Sequence, residues 1–287
     1  MPTATCLVCG DKRFHPYLDI LLKCPTCGFV TAHQGGATAI GQLYEGEYVT
    51  GAEYLDYLAD EPLFRRTFHR RLNEILDRKP GGRLLEIGAA YGFFLDLARR
   101  HFDAIGFELN QEAARHGRDH FGVDIRTEDF LRIDRRRIGD SFDVTVMWDV
   151  IEHLERPDLF LARVAELSHA GALVYLTTGD IGSLVARLRG RKWRLIHPPS
   201  HLHYFDRNTI ARLLDRHGFR VIQIRTAGVA RSFRQILYSV LALRLGQPDL
   251  YASIKKAVPP SWGFTLDLRD IMLVVANRKD EGGRVRR

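Results

Sequence analysis

Four cysteines are the first residues whose spacing could do chemistry. They fall as Cys6-x-x-Cys9 and Cys24-x-x-Cys27, with 14 residues between the pairs and none in the rest of the chain. Four thiolates so spaced can close around one ion with metal–sulfur bonds near ~2.3 Å, which reads as a tetrahedral zinc site. Gly10 and Gly28 each follow the second cysteine of a pair, where backbone free of Cβ strain can turn its amides toward the sulfurs. A rubredoxin-like iron site and two disulfides are the alternatives. A closed shell of four sulfurs leaves no open coordination position, so the role expected of Zn2+ here is structural.

The second group is Glu86-x-Gly88-x-x-x-Gly92, within LLEIGAAYGFFL. Glycines after a strand let a ligand approach the backbone, and a helix start offers amides to an anion. A dinucleotide pyrophosphate, however, would be repelled by a carboxylate at the strand end. An ammonium and a sulfonium would be attracted, and S-adenosylmethionine carries both. Ala90 stands where a middle glycine is usual.

On these residues the chain resembles the class I S-adenosylmethionine-dependent methyltransferases, over about residues 80–230. The apolar-apolar-Glu86-x-Gly88 run, with Ala89, looks like their first motif. Glu108, beside Leu109 and 22 residues after Glu86, matches the acid that holds the ribose hydroxyls. Asp129 matches the acid that receives the adenine amino group, with Phe130 beside the ring. Phe142 to His153 (FDVTVMWDVIEH) is similar to the family's fourth-strand segment, which would set Trp148 and Asp149 at the cofactor's border. The resemblance implies a Rossmann-like, doubly wound, mostly parallel seven-stranded sheet. Four-cysteine modules joined to such domains also occur in methyltransferases of nucleotide-linked sugars and other intermediates. The carbon-methylating ones carry a further C-terminal domain not found in this chain, which points to oxygen.

Transfer to a hydroxyl calls for a general base near the fourth or fifth strand, and histidine titrates in the right range. His153 follows the fourth strand; His197, His201 and His203 follow the fifth. His153, His201 and His203 are the candidate catalytic residues. A metal reading of the later cluster lacks a nearby cysteine or carboxylate to complete a shell. The basic run Arg187 to Arg194 (RLRGRKWR) fits three roles. It could be a solvated helix end, a clamp for a phosphorylated substrate, or a nucleic-acid grip in which Trp193 stacks a base. The Asn/Asp-Pro-Pro-aromatic motif of amino-directed methylation is absent after the fourth strand. The expected acceptor is a small metabolite, glycosyl or phosphorylated; ribosomal RNA is the alternative.

The elements that must position these groups follow from periodicity. Apolar strands at about 83–87, 103–108, 123–126, 142–148 and 172–178 alternate with helical segments, which predicts a parallel sheet covered on both faces. Helical spacing recurs from Pro62 to Leu76 and over 207–217; two β-rich runs, 219–226 and 270–277, complete the pattern. The expected organisation is a metal ribbon over 1–40 and a helical linker over 41–79 packing on the main domain. A methyltransferase domain over 80–280 and a disordered basic tail over 281–287 complete it. At 287 residues and +7 formal charge the chain suits one good core and an acidic partner. No apolar run is long enough for a membrane span and no signal-peptide pattern opens the chain, so a cytoplasmic location is expected.

Overall fold

The structure, a computed structural model, describes residues 5–32, 58–139, 141–198, 200–259 and 261–280. Residues 41–57 of the expected linker and the whole basic tail (281–287) lie outside these residues.

The chain opens with three short strands, β1 (His15–Tyr17), β2 (Leu21–Lys23) and β3 (Val30–Ala32). Helix α1 (Glu61–Leu76) starts on Pro62, whose missing amide costs nothing in a first turn, and buries Leu63, Phe68, Leu72 and Ile75 along one stripe. Strand and helix then alternate: β4 (Gly82–Ile87), α2 (Phe93–Ala98), β5 (Phe102–Phe107), α3 (Gln111–Phe121), β6 (Asp124–Arg126), α4 (Arg135–Ile138), β7 (Phe142–Trp148), α5 (Pro157–Leu167), β8 (Ser168–Gly179) and α6 (Leu184–Arg189). After them come β9 (His203–Tyr204), α7 (Arg207–Arg216), β10 (Phe219–Thr226), β11 (Val229–Ser232), α8 (Phe233–Leu237), α9 (Pro248–Ile254), β12 (Gly263–Leu266) and β13 (Ile271–Arg278).

Seven strands form the main sheet in the order β10-β13-β8-β7-β4-β5-β6. All run parallel except β13, which pairs antiparallel with both β8 and β10. Alternation along each strand feeds two cores. In β13, Met272, Val274 and Ala276 join one cluster while Ile271, Leu273 and Val275 join the other. A sheet covered on both faces has no polar side to spare, which is why its strands read as nearly unbroken apolar runs. Some helix starts are capped by side chains: Asn110 accepts the Ala113 amide for α3, and Asp206 with Thr209 forms a capping box for α7.

The ribbon does not end where its own strands do. β9, a two-residue strand 171 positions on, pairs antiparallel with β3 and makes the fourth strand of the β1-β2-β3-β9 sheet. Cys6, Val8, Cys24 and Phe29 belong to the same buried cluster as Leu85, Ile87 and Phe205.

Candidate functional site

Ligands of open α/β sheets collect at the carboxyl ends of the parallel strands, and here β4, β5 and β7 end around two adjoining clefts. Both clefts share Gly88, Ala90 and Trp148. Gly88 adopts φ +74, and a Cβ there would lie 2.5 Å from Val150 Cγ2, so only glycine fits. Ala90 and Asp149 carry side chains in the same left-handed region, at φ 45 and 55. Each costs on the order of 1 kcal/mol, strain that is characteristic of ligand sites. The glycine common at position 90 in the first motif would bear no such cost.

The first cleft is lined by Gly88, Glu108, Leu109, Asp129, Phe130, Trp148 and His153, among others. It holds about 1010 Å³ of empty space including its open mouth. Glu108 is buried, and its two oxygens accept the Ala90 and Asn110 amides at 2.9 and 2.8 Å. Burial raises its pKa, with those amides opposing. Asp129 stands at the mouth, accepts the Leu131 amide and pairs loosely with Arg132 at 3.4 Å. Leu109 is 58% exposed against the cleft. Phe130 is buried, edge-on to Phe107 and stacked on Phe160.

The second cleft is lined by Glu86, Gly88, Ala89, Trp148, Asp149 and residues of α1. Three buried polar atoms that line it have no hydrogen-bond partner: Glu86 Oε2, Thr67 Oγ1 and Trp148 Nε1. Orphaned atoms of this kind are costly unless a ligand satisfies them. Burial, with the Glu108 charge added, pushes the Glu86 pKa well above its ordinary value, a shift that a bound cation would oppose. Arg71 lies over the Trp148 ring at 4.5 Å. Burial lowers its pKa, with Asp149 opposing, and no carboxylate among the described residues pairs with it within 4.0 Å. Sequence reasoning missed Arg71. The signal was there: at helical spacing from Phe64, Phe68 and Ile75 it puts a cation on the apolar stripe of α1.

The histidines separate. His153 lines the first cleft, is 6% exposed, and its Nδ1 lies 2.8 Å from the Ser200 carbonyl. A carbonyl only accepts, so Nδ1 carries the proton and Nε2 the lone pair. His201 is set alike, Nδ1 donating to the Leu195 carbonyl at 2.8 Å, with its ring edge-on to His153 at 4.6 Å. Burial, then the neighbouring His153 and His197, brings its pKa down to about 3. His201 lines neither cleft, and reaches the first only through His153. The ligand atoms of Glu152, His153 and His201 lie within 4.8 Å of one another. The carboxylate that the sequence did not reveal is therefore Glu152, and the trio could share a proton or hold a divalent cation.

Three expectations need correction. His203 faces neither cleft: it is 2% exposed, bound to Thr31 Oγ1 at 3.1 Å and packed on Phe29, because β9 belongs to the ribbon's sheet. Gly92 also lies outside both clefts; it caps α2 at φ +80, and a Cβ there would meet Ile125 and Val123 at 3.0 and 3.1 Å. Trp193 cannot stack a base, being buried with its indole N–H donated to Asp270 at 2.9 Å.

In the ribbon, Cys6 and Cys27 sulfurs lie 3.5 Å apart, as do those of Cys9 and Cys24. A disulfide needs about 2.05 Å; a tetrahedron with ~2.3 Å bonds has edges of about 3.8 Å. All four sulfurs fall within 4.8 Å of one another, and the Val8 and Cys9 amides point at Cys6. Burial pushes the Cys6 thiol up to about 11, a cost that a bound cation would reverse.

A family profile described as a methyltransferase domain matches residues 57–224. A ubiquinone biosynthesis O-methyltransferase from Cereibacter sphaeroides is 28% identical over 155 residues, 52% of this chain and 62% of that protein. The chain thus matches less than two thirds of that relative's length. Magnesium protoporphyrin IX methyltransferase from Synechocystis PCC 6803, solved with bound SAH, superposes with a TM-score of 0.53 at 12% identity, over 85% of this chain and 100% of that one. An N-methyltransferase from Bradyrhizobium japonicum WM9, in complex with S-adenosyl-L-homocysteine, gives 0.51 at 13% identity, over 84% and 97%. At such identities the likeness is one of fold. With the profile covering more than half of its 287 residues and the seven-stranded sheet in place, the chain belongs to the methyltransferase-domain family.

Proposed function

We propose that the protein methylates a hydroxyl oxygen of a small metabolite, with S-adenosylmethionine as donor. The observation that carries this reading is that His153, its tautomer set by the Ser200 carbonyl, lines the same cleft as Gly88, Glu108 and Asp129. When bound, S-adenosylmethionine supplies an electrophilic sulfonium methyl. Glu108 would accept the ribose hydroxyls and Asp129 the adenine amine, with Leu109 and Phe130 against the ring. Arg71 would take the methionine carboxylate and Glu86 the cationic side, satisfying atoms now orphaned. His153 Nε2 would accept the proton of the acceptor hydroxyl. The work left to the chain is positioning and this one proton.

The O-methyltransferase name of the Cereibacter sphaeroides relative supports oxygen as the acceptor atom. The four-sulfur set supports a structural Zn2+ and a reducing, cytoplasmic setting. Burial of Trp193 counts against an RNA grip by the basic run. The test is transfer of radiolabelled methyl to a panel of hydroxylated small molecules, phenolic and glycosyl, beside ribosomal RNA. Label in a small-molecule ether supports the reading, and label confined to RNA overturns it.

A further inference from the structure

Eleven of the fifteen exposed large apolar side chains among the described residues fall in two segments, 184–188 and 233–268. Leu184 and Leu188, one helical turn apart on α6, are 72% and 78% exposed; Trp262, Leu245, Phe233 and Phe264 are 58, 58, 44 and 40% exposed. Both segments leave the main sheet at the same end of its strands. α6 follows the carboxyl end of β8 at Gly179, and Ile271 of β13 pairs with Gly179 there. The 227–270 excursion leaves β10 at Thr226, which pairs with Met272 on that same edge. This is also the edge where β7 ends beside the clefts, Trp148 pairing with Thr177.

Charge accompanies the apolar surface. The exposed cations are Arg187 and Arg189 on α6, Arg191 and Lys192 after it, with Arg191 3.6 Å from Asp19, and Arg244, Lys255, Lys256 and Arg269 in the excursion. Only Asp249 and Asp267 oppose them over 184–194 and 229–269, in a chain of formal charge +7. The apolar groups stand on several short elements and not in one groove, so they suit a medium that conforms to them. Basic residues around protruding aliphatic and tryptophan side chains are the chemistry of an anionic bilayer surface. No helix among the described residues is long and apolar enough to cross a membrane, so the contact is one of lying on the surface.

We propose that this edge of the molecule, from α6 to the 233–268 excursion, docks on anionic lipid bilayers. The contact holds whatever acceptor is methylated, and it is read without activity. Trp262 is a built-in probe, since Trp148 and Trp193 are 8% and 3% exposed. The full chain is mixed with phosphatidylcholine vesicles, and with the same vesicles carrying phosphatidylglycerol or its brominated form. Expected results are co-flotation with the anionic vesicles only, weakening steeply with salt, and a blue shift of tryptophan emission that brominated lipid quenches. The shift is lost in Trp262→Phe. Leu184→Glu with Leu188→Glu should bind about tenfold or more weakly while keeping the wild-type circular dichroism spectrum. The proposal is overturned by no flotation with anionic vesicles, by equal flotation with neutral ones, or by unshifted emission. A lipid-free dimer in sedimentation velocity with Trp262 already blue-shifted overturns it too.

Discussion

The Glu108 carboxylate accepts the Ala90 amide at 2.9 Å, tying the acid at the end of β5 to the turn that follows β4. Its other oxygen holds the Asn110 amide that leads into α3. Glu108→Ala should therefore weaken S-adenosylmethionine binding roughly tenfold to a hundredfold in a calorimetric titration. It should also lower the melting temperature, because each amide left without its acceptor costs about 1–3 kcal/mol. Weaker binding with unchanged melting would mean the acid serves only the ligand.

Arg71 predicts the opposite pairing of effects. Its guanidinium is desolvated over Trp148 with no carboxylate in pairing range among the described residues, an arrangement that costs the ligand-free protein. Arg71→Met should leave the melting temperature unchanged or higher while S-adenosylmethionine binding falls about tenfold or more. If affinity holds and stability drops, the residue is packing and not a ligand group.

For His153, removing the imidazole should reach the proton step and spare the donor. His153→Gln is expected to lower kcat by roughly 10²- to 10⁴-fold, with the S-adenosylmethionine dissociation constant within about twofold of wild type. Single-turnover transfer to a small-molecule acceptor, beside a binding titration, separates the two. Equal losses in both would place His153 in the framework of the cleft.

His203 gives a pH signature. Burial, against the raising effect of the Glu155 and Leu154 carbonyls, lowers its pKa to about 4, while the unfolded residue titrates near ~6.5. Between those values the unfolded chain binds a proton that the folded chain refuses. The stability it contributes is thus full above about pH 6.5 and lost as pH falls toward 4, with a limiting slope of about 1.4 kcal/mol per pH unit. Urea unfolding of wild type and His203→Gln across that range should differ in slope by up to this amount, and the difference isolates His203 from the thiols. Parallel curves would contradict a neutral, buried ring.

One zinc ion per chain is expected by elemental analysis, falling well below one in Cys27→Ser. Because β9 pairs with β3, the effect should travel: amide exchange at Tyr204, opposite Val30, should rise when a chelator strips the metal, along with loss of melting temperature. Metal loss with protected amides there would uncouple the ribbon from the main domain.

The main sheet was legible in the sequence because its strands are buried on both faces and its helices are amphipathic. Runs such as Leu84 to Ile87 and Phe142 to Trp148 admit few other readings. Glu86, Gly88, Glu108 and Asp129 could be placed because each sits at a strand end, where spacing along the chain translates into position. Arg71, Glu152 and the true setting of His203 could not. Arg71 meets Trp148 only after α1 docks. Glu152 meets His201 across 49 positions of chain, and β9 is two residues long, too short for any period to show. His201 and His203 stand two residues apart, yet the backbone pairs with β3 at His203 and gives the two rings different surroundings.

The late fourth strand of the ribbon has a consequence for biosynthesis. Thr31 and His203 are 172 residues apart, so at roughly 5–20 residues per second the cysteine knuckles leave the ribosome some 10 to 30 seconds before the strand that completes them. During that interval an early-bound ion would stand guard over a half-built sheet whose free edge is β3. With zinc held as proposed, a nascent chain starved of it would offer that edge to any passing strand, and metal supply would then be a condition for clean synthesis as much as for the finished protein.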